Sequence, residues 1–525
     1  MSAWGRGVRD IRFRLAAYPI VPLGLYRNSY SIHRAMRGAE QMSMKGLLAA
    51  FLVGLAVAAP SVRAAEAPAS PKEPDYAAQI AAAGLADTDV GFLVVDLADG
   101  KVVAEHNPDR LFIPASVAKI PTVAAALEIL GAQYRFVTTV EAVGEVRDGV
   151  LAGTLVLRGG GDPFLSSDDL KQMADQLAAT GIRSVEGPFL YDATALVEIP
   201  QINPMQPEAA GYNTGVSALS VNFNRVRVNW QKSAANATAA AMAVSEAMTL
   251  PIDAIALSFA AADAPGPYVR SGDDGEESWL LSPTLADKGE DWLPVGNPSL
   301  ITAEVFRALA AAEGIDLPEP TAGATLAGGR ELVRHESIPL DEIASGVLKY
   351  SNNLSAELIG LTASKALTHR VFDLADSGSA LAAWWQLRLP AVDWTGIDLE
   401  NHSGLSSDSR ASPRQIVVML EAAAKSAGGA DFHDLLKAIS WKGVKGTARV
   451  KTGTMSYGRG LAGYIDTASG RRLAFAIFFN DLDKRAALDA AFNPYNTAID
   501  PESRHWRGRV LKLEQDLTSG WAAQF

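Results

Sequence analysis

The chain has 525 residues, too many for one ordinary core, and its 48% hydrophobic and 20% charged composition is that of a folded globular protein, not a disordered one. It contains no cysteine, which excludes disulfides, thiol nucleophiles and thiolate-held metals. Its formal charge of −12 argues against nucleic acid as a partner, because that affinity rests on Lys and Arg neutralising phosphates.

Met42 to Ala65 has the layout of a secretory signal peptide: Lys45, an apolar run to Ala59, then small residues around Val62, Ala64 and Ala65. The run is shorter than the about 20 residues that a membrane span needs, so no stable span is expected. Cleavage near Ala64 or Ala65 would leave a periplasmic or otherwise extracytoplasmic protein. Ahead of this segment, residues 1–41 carry seven Arg against only Asp10 and Glu40. A start assigned too early explains them better than an Arg-rich transit peptide, because Pro19 and Pro22 break a long amphipathic helix. Residues 1–64 are therefore read as an extension plus signal peptide. They hold nine basic and two acidic residues, so their removal takes the formal charge from −12 to −19.

After a Pro- and Ala-rich linker, "VGFLVVDLADGKVVAEHNP" predicts a hairpin turning at Asp99-Gly100. "FIPASVAKIPTVAAALEILG" follows, an apolar helix headed by Ser116 and Lys119. From Tyr134 to about Val333 the texture is one of short alternating strands and turns, with a single helix predicted at Ala303 to Ala312. Helical periodicity returns over Leu340 to Leu367, Ala380 to Leu387, and Pro413 to Lys425 with proline in its first turn. Three strand-like segments then precede a last helix over about Val510 to Trp521. The reading is an α+β core, residues 75–135 and 334–525, interrupted by a mostly-β insertion, residues 136–333.

Side chains at i and i+3 share a helix face, with Cβ atoms roughly 5 to 6 Å apart, so Ser116 and Lys119 are placed to touch. In an apolar site an ammonium loses hydration, its pKa falls, and the neutral amine becomes a base for a serine hydroxyl. A Ser-x-x-Lys occurs by chance about once in a chain this long, so alone it carries little. Two further triplets join it. "LKYSNNLSAELIG" sets Ser351 and Asn353 at a break between helical stretches, and "VKTGT" sets Lys451, Thr452, Gly453 and Thr454 on a strand.

Ser-x-x-Lys, Ser-x-Asn and Lys-Thr-Gly, in that order, form the signature of penicillin-binding proteins and serine β-lactamases. The long insertion between the first two, with "LRGGGDPFL" and "YNTGVSALSVNFNRVRV", resembles the class C low-molecular-mass penicillin-binding proteins, the D-alanyl-D-alanine carboxypeptidase/endopeptidase family. The likeness runs from about Tyr76 to Asn480 and includes "NHSGLSSDSRASP", where Asn401 and His402 stand in place of the family's usual Asp and Gly.

This resemblance implies an α/β/α core with an antiparallel sheet and Ser116 as nucleophile, with Lys119 as its base. Lys451 would disfavour protonation of Lys119 and bind the substrate's terminal carboxylate with Thr452. Ser351 would pass a proton to the leaving amine and Asn353 would hold the substrate amide. A side chain at Gly453 would obstruct a substrate lying along the strand, and the N–H groups of Ser116 and Thr454 would form the oxyanion hole. Peptidoglycan peptides are the implied substrate, β-lactam antibiotics the covalent inhibitors, and no cofactor is implied.

Other motifs carry less. "GRGLAG", Gly458 to Gly463, precedes a strand instead of opening a helix, so it is not a dinucleotide loop. "RGGGDP" is a turn, and no zinc spacing is readable around His335 and Glu336. Two other functions stay open: a β-lactamase, for which no water-activating carboxylate can be placed, and a non-catalytic cell-wall binding protein with the same fold.

Overall fold

Arg472–Asn480, "RLAFAIFFN", is apolar at nearly every position, the pattern of a strand covered on both faces. In the computed structural model, which describes residues 74–233, 236–272, 276–325, 327–496 and 498–525, it is an inner strand of a six-stranded sheet. The sheet order is Lys437–Ser440, Thr447–Met455, Gly458–Asp466, Arg472–Asn480, Val90–Asp96 and Val102–His106. Every pairing in it is antiparallel. The residues read as extension and signal peptide, 1–64, lie outside the described residues.

Alternation along the strands fills two cores. Leu473, Phe475, Ile477 and Phe479, with Phe92 and Val94, pack against Trp506, Val510, Leu513, Leu517 and Trp521 of the last helix, Pro501–Gln524. On the opposite face Ala474, Ala476 and Phe478, with Leu93 and Val95, meet the helices Lys119–Leu130, Leu340–Tyr350, Asn353–Thr368 and Pro413–Lys425. The result is helix, sheet, helix. Each fully buried Phe or Leu in these layers contributes about 1.5 to 3 kcal/mol relative to exposure.

The strands between residues 137 and 336 build separate sheets. One runs Pro320–Ala322, Phe189–Asp192, Val150–Arg158, Val137–Arg147 and Arg330–Glu336, with Ser184–Val185 paired at its side. Four- and three-stranded sheets lie between residues 225 and 294. Two helices, Ser167–Ala179 and Pro298–Ala312, cover this core. The first corrects the single helix expected here: Ser166 and Asp169 form a reciprocal capping box, and Leu170, Met173, Ala174 and Leu177 are its buried stripe. The second starts at Pro298, five residues before the predicted Ala303, because proline suits the first turn.

An apolar cluster joins this region to the core helices. Leu196, Ile202, Val216 and Ala218 pack on Leu354, Leu358 and Leu361. That contact brings the loop carrying Tyr212 over the start of the Asn353–Thr368 helix. Among the described residues no helix is long and apolar enough to cross a membrane.

Candidate active site

Ser116 lies in a single 3₁₀ turn, Ala115–Ala118, and Lys119 is the first residue of the helix behind it. Ala115 holds a left-handed φ of 46°, a conformation that L-residues with a Cβ seldom adopt and that a crowded surround must hold. That surround includes the strand Thr447–Met455. A Cβ on Gly453 would sit 2.6 Å from the Pro114 carbonyl and 3.1 Å from the Ser116 nitrogen. Gly453 is therefore needed for the strand to approach the serine turn, a reason different from the substrate clearance expected from the sequence.

Lys119 is fully buried. Its Nζ lies 3.0 Å from Ser116 Oγ and donates to Asn353 Oδ1 at 2.8 Å and to the Ser403 carbonyl at 2.7 Å. The two carbonyl-type oxygens can only accept, so they take both hydrogens of a neutral amine and leave its lone pair facing the serine hydroxyl. Burial pushes the Lys119 amine down to about 7, against the opposing pull of the Glu357 carboxylate.

A second pair stands beside the first. Lys451, also buried, donates to Ser351 Oγ and to the Thr452 carbonyl, each at 2.8 Å. Ser351 ends the Leu340–Tyr350 helix with a left-handed φ of 62°, which breaks the helical run and turns its side chain out of the helix. Asn352 then caps the next helix by accepting the Ser355 N–H. Burial holds Lys451 well below the usual lysine range, with the charges of Lys119 and Arg459 adding to it. Lys119 and Lys451 disfavour each other's charged forms, with burial the larger cause of the shift at both.

Asn353 ties the Tyr212 loop to Lys119, since its Nδ2 donates to the Tyr212 carbonyl at 3.0 Å while its Oδ1 accepts from the amine. Thr452 and Thr454 are exposed along the strand. Strand Lys437–Ser440 pairs only as far as Val450, so among the described residues the Lys451–Met455 stretch has no strand partner on that side. The structure thus gathers Ser116, Lys119 and Asn353 into one hydrogen-bonded group, and Ser351 with Lys451 into another. Gly453 lies against the serine turn, with Thr452 and Thr454 flanking it on the open edge.

Glu357 and Arg459 escaped the sequence reading, and the contacts of Asn401 and His402 were not readable from it. Glu357, one turn beyond Asn353, accepts the backbone N–H groups of His402 and Ser403; the i, i+4 spacing was the available signal. In the "NHSGL" loop, Asn401 Oδ1 accepts the N–H groups of Gly404 and Leu405, closing the turn as a carboxylate would. His402 is buried and neutral, its ring lying where a Cβ on Gly360 would meet it at 2.1 Å and its Nε2 2.7 Å from Ser377 Oγ. Arg459, within "GRGLAG" and on a strand, donates to Thr454 Oγ1 while its fork engages Glu514 of the last helix.

Residues 75–494 match the model of the D-Ala-D-Ala carboxypeptidase 3 (S13) family. A D-alanyl-D-alanine carboxypeptidase of Actinomadura sp. is 28% identical over 436 residues, covering 74% of this chain and 77% of the relative. D-alanyl-D-alanine carboxypeptidase DacB of Haemophilus influenzae is 23% identical over 470 residues, covering 82% and 90%. Among solved structures, penicillin binding protein 4 of Haemophilus influenzae aligns with a TM-score of 0.69 at 20% identity, over 83% of this chain and 96% of that one. At that identity the likeness speaks for the fold.

Proposed function

The chain belongs to the D-Ala-D-Ala carboxypeptidase 3 (S13) family, and we propose that it cleaves D-alanyl-D-alanine peptides of peptidoglycan, at stem ends or crosslinks, through an acyl-enzyme on Ser116. It is a serine hydrolase of the penicillin-binding type. The observation that carries the assignment of roles is the Lys119 amine, buried, spent on two acceptors and left with its lone pair toward Ser116 Oγ.

In this scheme Lys119 takes the Ser116 proton as Oγ attacks the carbonyl carbon of the scissile bond. The N–H groups of Ser116 and Thr454 hold the oxyanion, a device worth about 3 to 4 kcal/mol per donor. Ser351, bonded to Lys451, relays that proton from Lys119 to the leaving nitrogen as the C–N bond breaks, so that Lys119 is neutral again and Ser351 keeps its hydroxyl. Lys451 and Thr452 receive the terminal carboxylate, and Asn353 orients the substrate amide. Water then hydrolyses the ester and restores Ser116. A β-lactam enters as a mimic of the same peptide and stays as a stable ester.

The β-lactamase alternative loses support from Glu357. It is a buried carboxylate beside the base, with no exposure to solvent and bonded to two backbone N–H groups of the loop, a place ill suited to activating a water. Residues 75–135 and 334–525 act here as one catalytic domain, with 136–333 as an inserted domain beside the cleft. Export through the segment from Met42 to Ala65 would place the enzyme outside the cytoplasm, where its polymer lies.

Incubation with a fluorescent penicillin tests the reading. Stable labelling that disappears in Ser116→Ala is expected. Rapid turnover of the label would favour the β-lactamase, and no labelling of the folded chain would favour a non-catalytic binding protein.

A further inference from the structure

Glu357 is wholly buried and takes no part in the scheme above. Its Oε2 accepts the His402 N–H and its Oε1 the Ser403 N–H, both at 2.9 Å. Burial pushes the Glu357 carboxyl up, while the hydrogen bonds from Ser403 and His402 and the Lys119 charge pull it down, and an N–H on each oxygen suits the ionised form, which accepts at both. Ser403 is then held at both ends of its backbone: its N–H is bound by Glu357, and its carbonyl receives the Lys119 amine at 2.7 Å. Asn353, which supplies the other acceptor to that amine, sits one turn before Glu357 on the same helix. One helix therefore governs both acceptors, the first directly and the second through a loop.

We infer that Glu357 is a positioning residue for the base: by clamping the His402–Ser403 backbone it aims the Ser403 carbonyl at Lys119 and so turns the amine's lone pair toward Ser116. The inference rests on the reading of Lys119 as the base. Glu357 also supplies the negative charge next to Lys119. The other ionisable groups around the amine are Lys451, from the strand edge, and the buried neutral His402, from the loop, with Arg459 behind Lys451. Loss of the Glu357 charge should therefore ease deprotonation of Lys119, while loss of the clamp should misdirect it.

The test is Glu357→Gln in the full chain. Acylation by fluorescent penicillin is followed from pH 5 to 10, with thermal melting alongside. The amide keeps the size but offers one acceptor and sets an NH₂ against the second N–H. The expected result is an acidic limb moved to lower pH by at least about half a unit, and a plateau lowered at least about 10-fold. A purely structural role would lower the melting temperature and leave the limb in place, and that outcome overturns the inference.

Should the Gln variant fail to fold, Glu357→Asp, which keeps the charge on a shorter stem, takes its place. The expectation is then a limb near the wild-type pH with a plateau reduced at least about 10-fold, and a plateau within twofold of wild type overturns the inference. Wild type that does not label, or Ser116→Ala that does, would instead defeat the proposed function. Labelling wild type with unmoved Glu357 variants defeats this inference alone.

Discussion

Replacing Lys119 by Arg keeps the positive charge and nearly the stem length while removing the capacity to lose a proton. An ordinary lysine with pKa 10.5 is neutral in roughly one molecule in 3,000 at pH 7. With its amine brought down to about 7 by burial, Lys119 is neutral in about half the molecules at that pH. A guanidinium, with pKa above about 12, falls below about one in 100,000 and offers no lone pair where the amine now faces Ser116 Oγ at 3.0 Å. General base catalysis supplies about 100- to 10,000-fold, so Lys119→Arg should slow acylation at least about 100-fold. The assay is the second-order rate of labelling by fluorescent penicillin at pH 7, with thermal melting to separate lost chemistry from strain in a fully buried site. A folded Lys119→Arg chain that labels within about 10-fold of wild type would refute the base assignment.

Acylation of wild type should rise with pH through about 7 as Lys119 loses its proton; a rate that is flat from pH 5 to 9 would contradict this. The same depressed amine makes the unfolded chain bind more protons between about 7 and 10.5, so stability should climb with pH there. Its share is about 1.4 kcal/mol per unit, and chemical denaturation of Lys119→Met should lose it. Gly453→Ala should displace the serine turn, with a Cβ meeting the Pro114 carbonyl at 2.6 Å; stability should fall by about 1 to 3 kcal/mol and labelling should slow at least about 10-fold, as denaturation and kinetics would read. Glu514→Ala should cost about 3 to 5 kcal/mol in a denaturant titration, because it leaves the nine-tenths-buried Arg459 guanidinium unpaired.

The three motifs were legible because each is local: a turn, an interhelical break and a strand, every one short enough to be read from adjacent residues. The core sheet was legible for a similar reason, since "RLAFAIFFN" can be little else than a strand buried on both faces. Glu357 was not, although it lies four residues past Asn353, because its partners His402 and Ser403 arrive from 45 and 46 positions away and only tertiary packing joins them. The packing reason for Gly453 was unreadable on the same ground: the Pro114–Ser116 turn that a side chain would strike is remote in sequence. The Ser167–Ala179 helix had a readable capping box, hidden by strand-like neighbours on both sides. The last helix was begun nine residues late because its first turns, from Pro501, are mostly polar and show apolar spacing only at Trp506.

The pairing of Val90–Asp96 with Arg472–Asn480 joins segments near opposite ends of the described chain. On the ribosome, and during any threading through a translocation pore, the amino-terminal hairpin and the serine turn emerge long before the strands that support them. The strand that presses Gly453 against that turn, and the helix whose tryptophans seal the far face, come last. Closing so long a loop is slow, because its entropy must be lost before the distant contacts form. On the proposed mechanism the nascent chain would carry Ser116 without a hole for the oxyanion or a lysine fixed beside it, and labelling by penicillin would report complete folding.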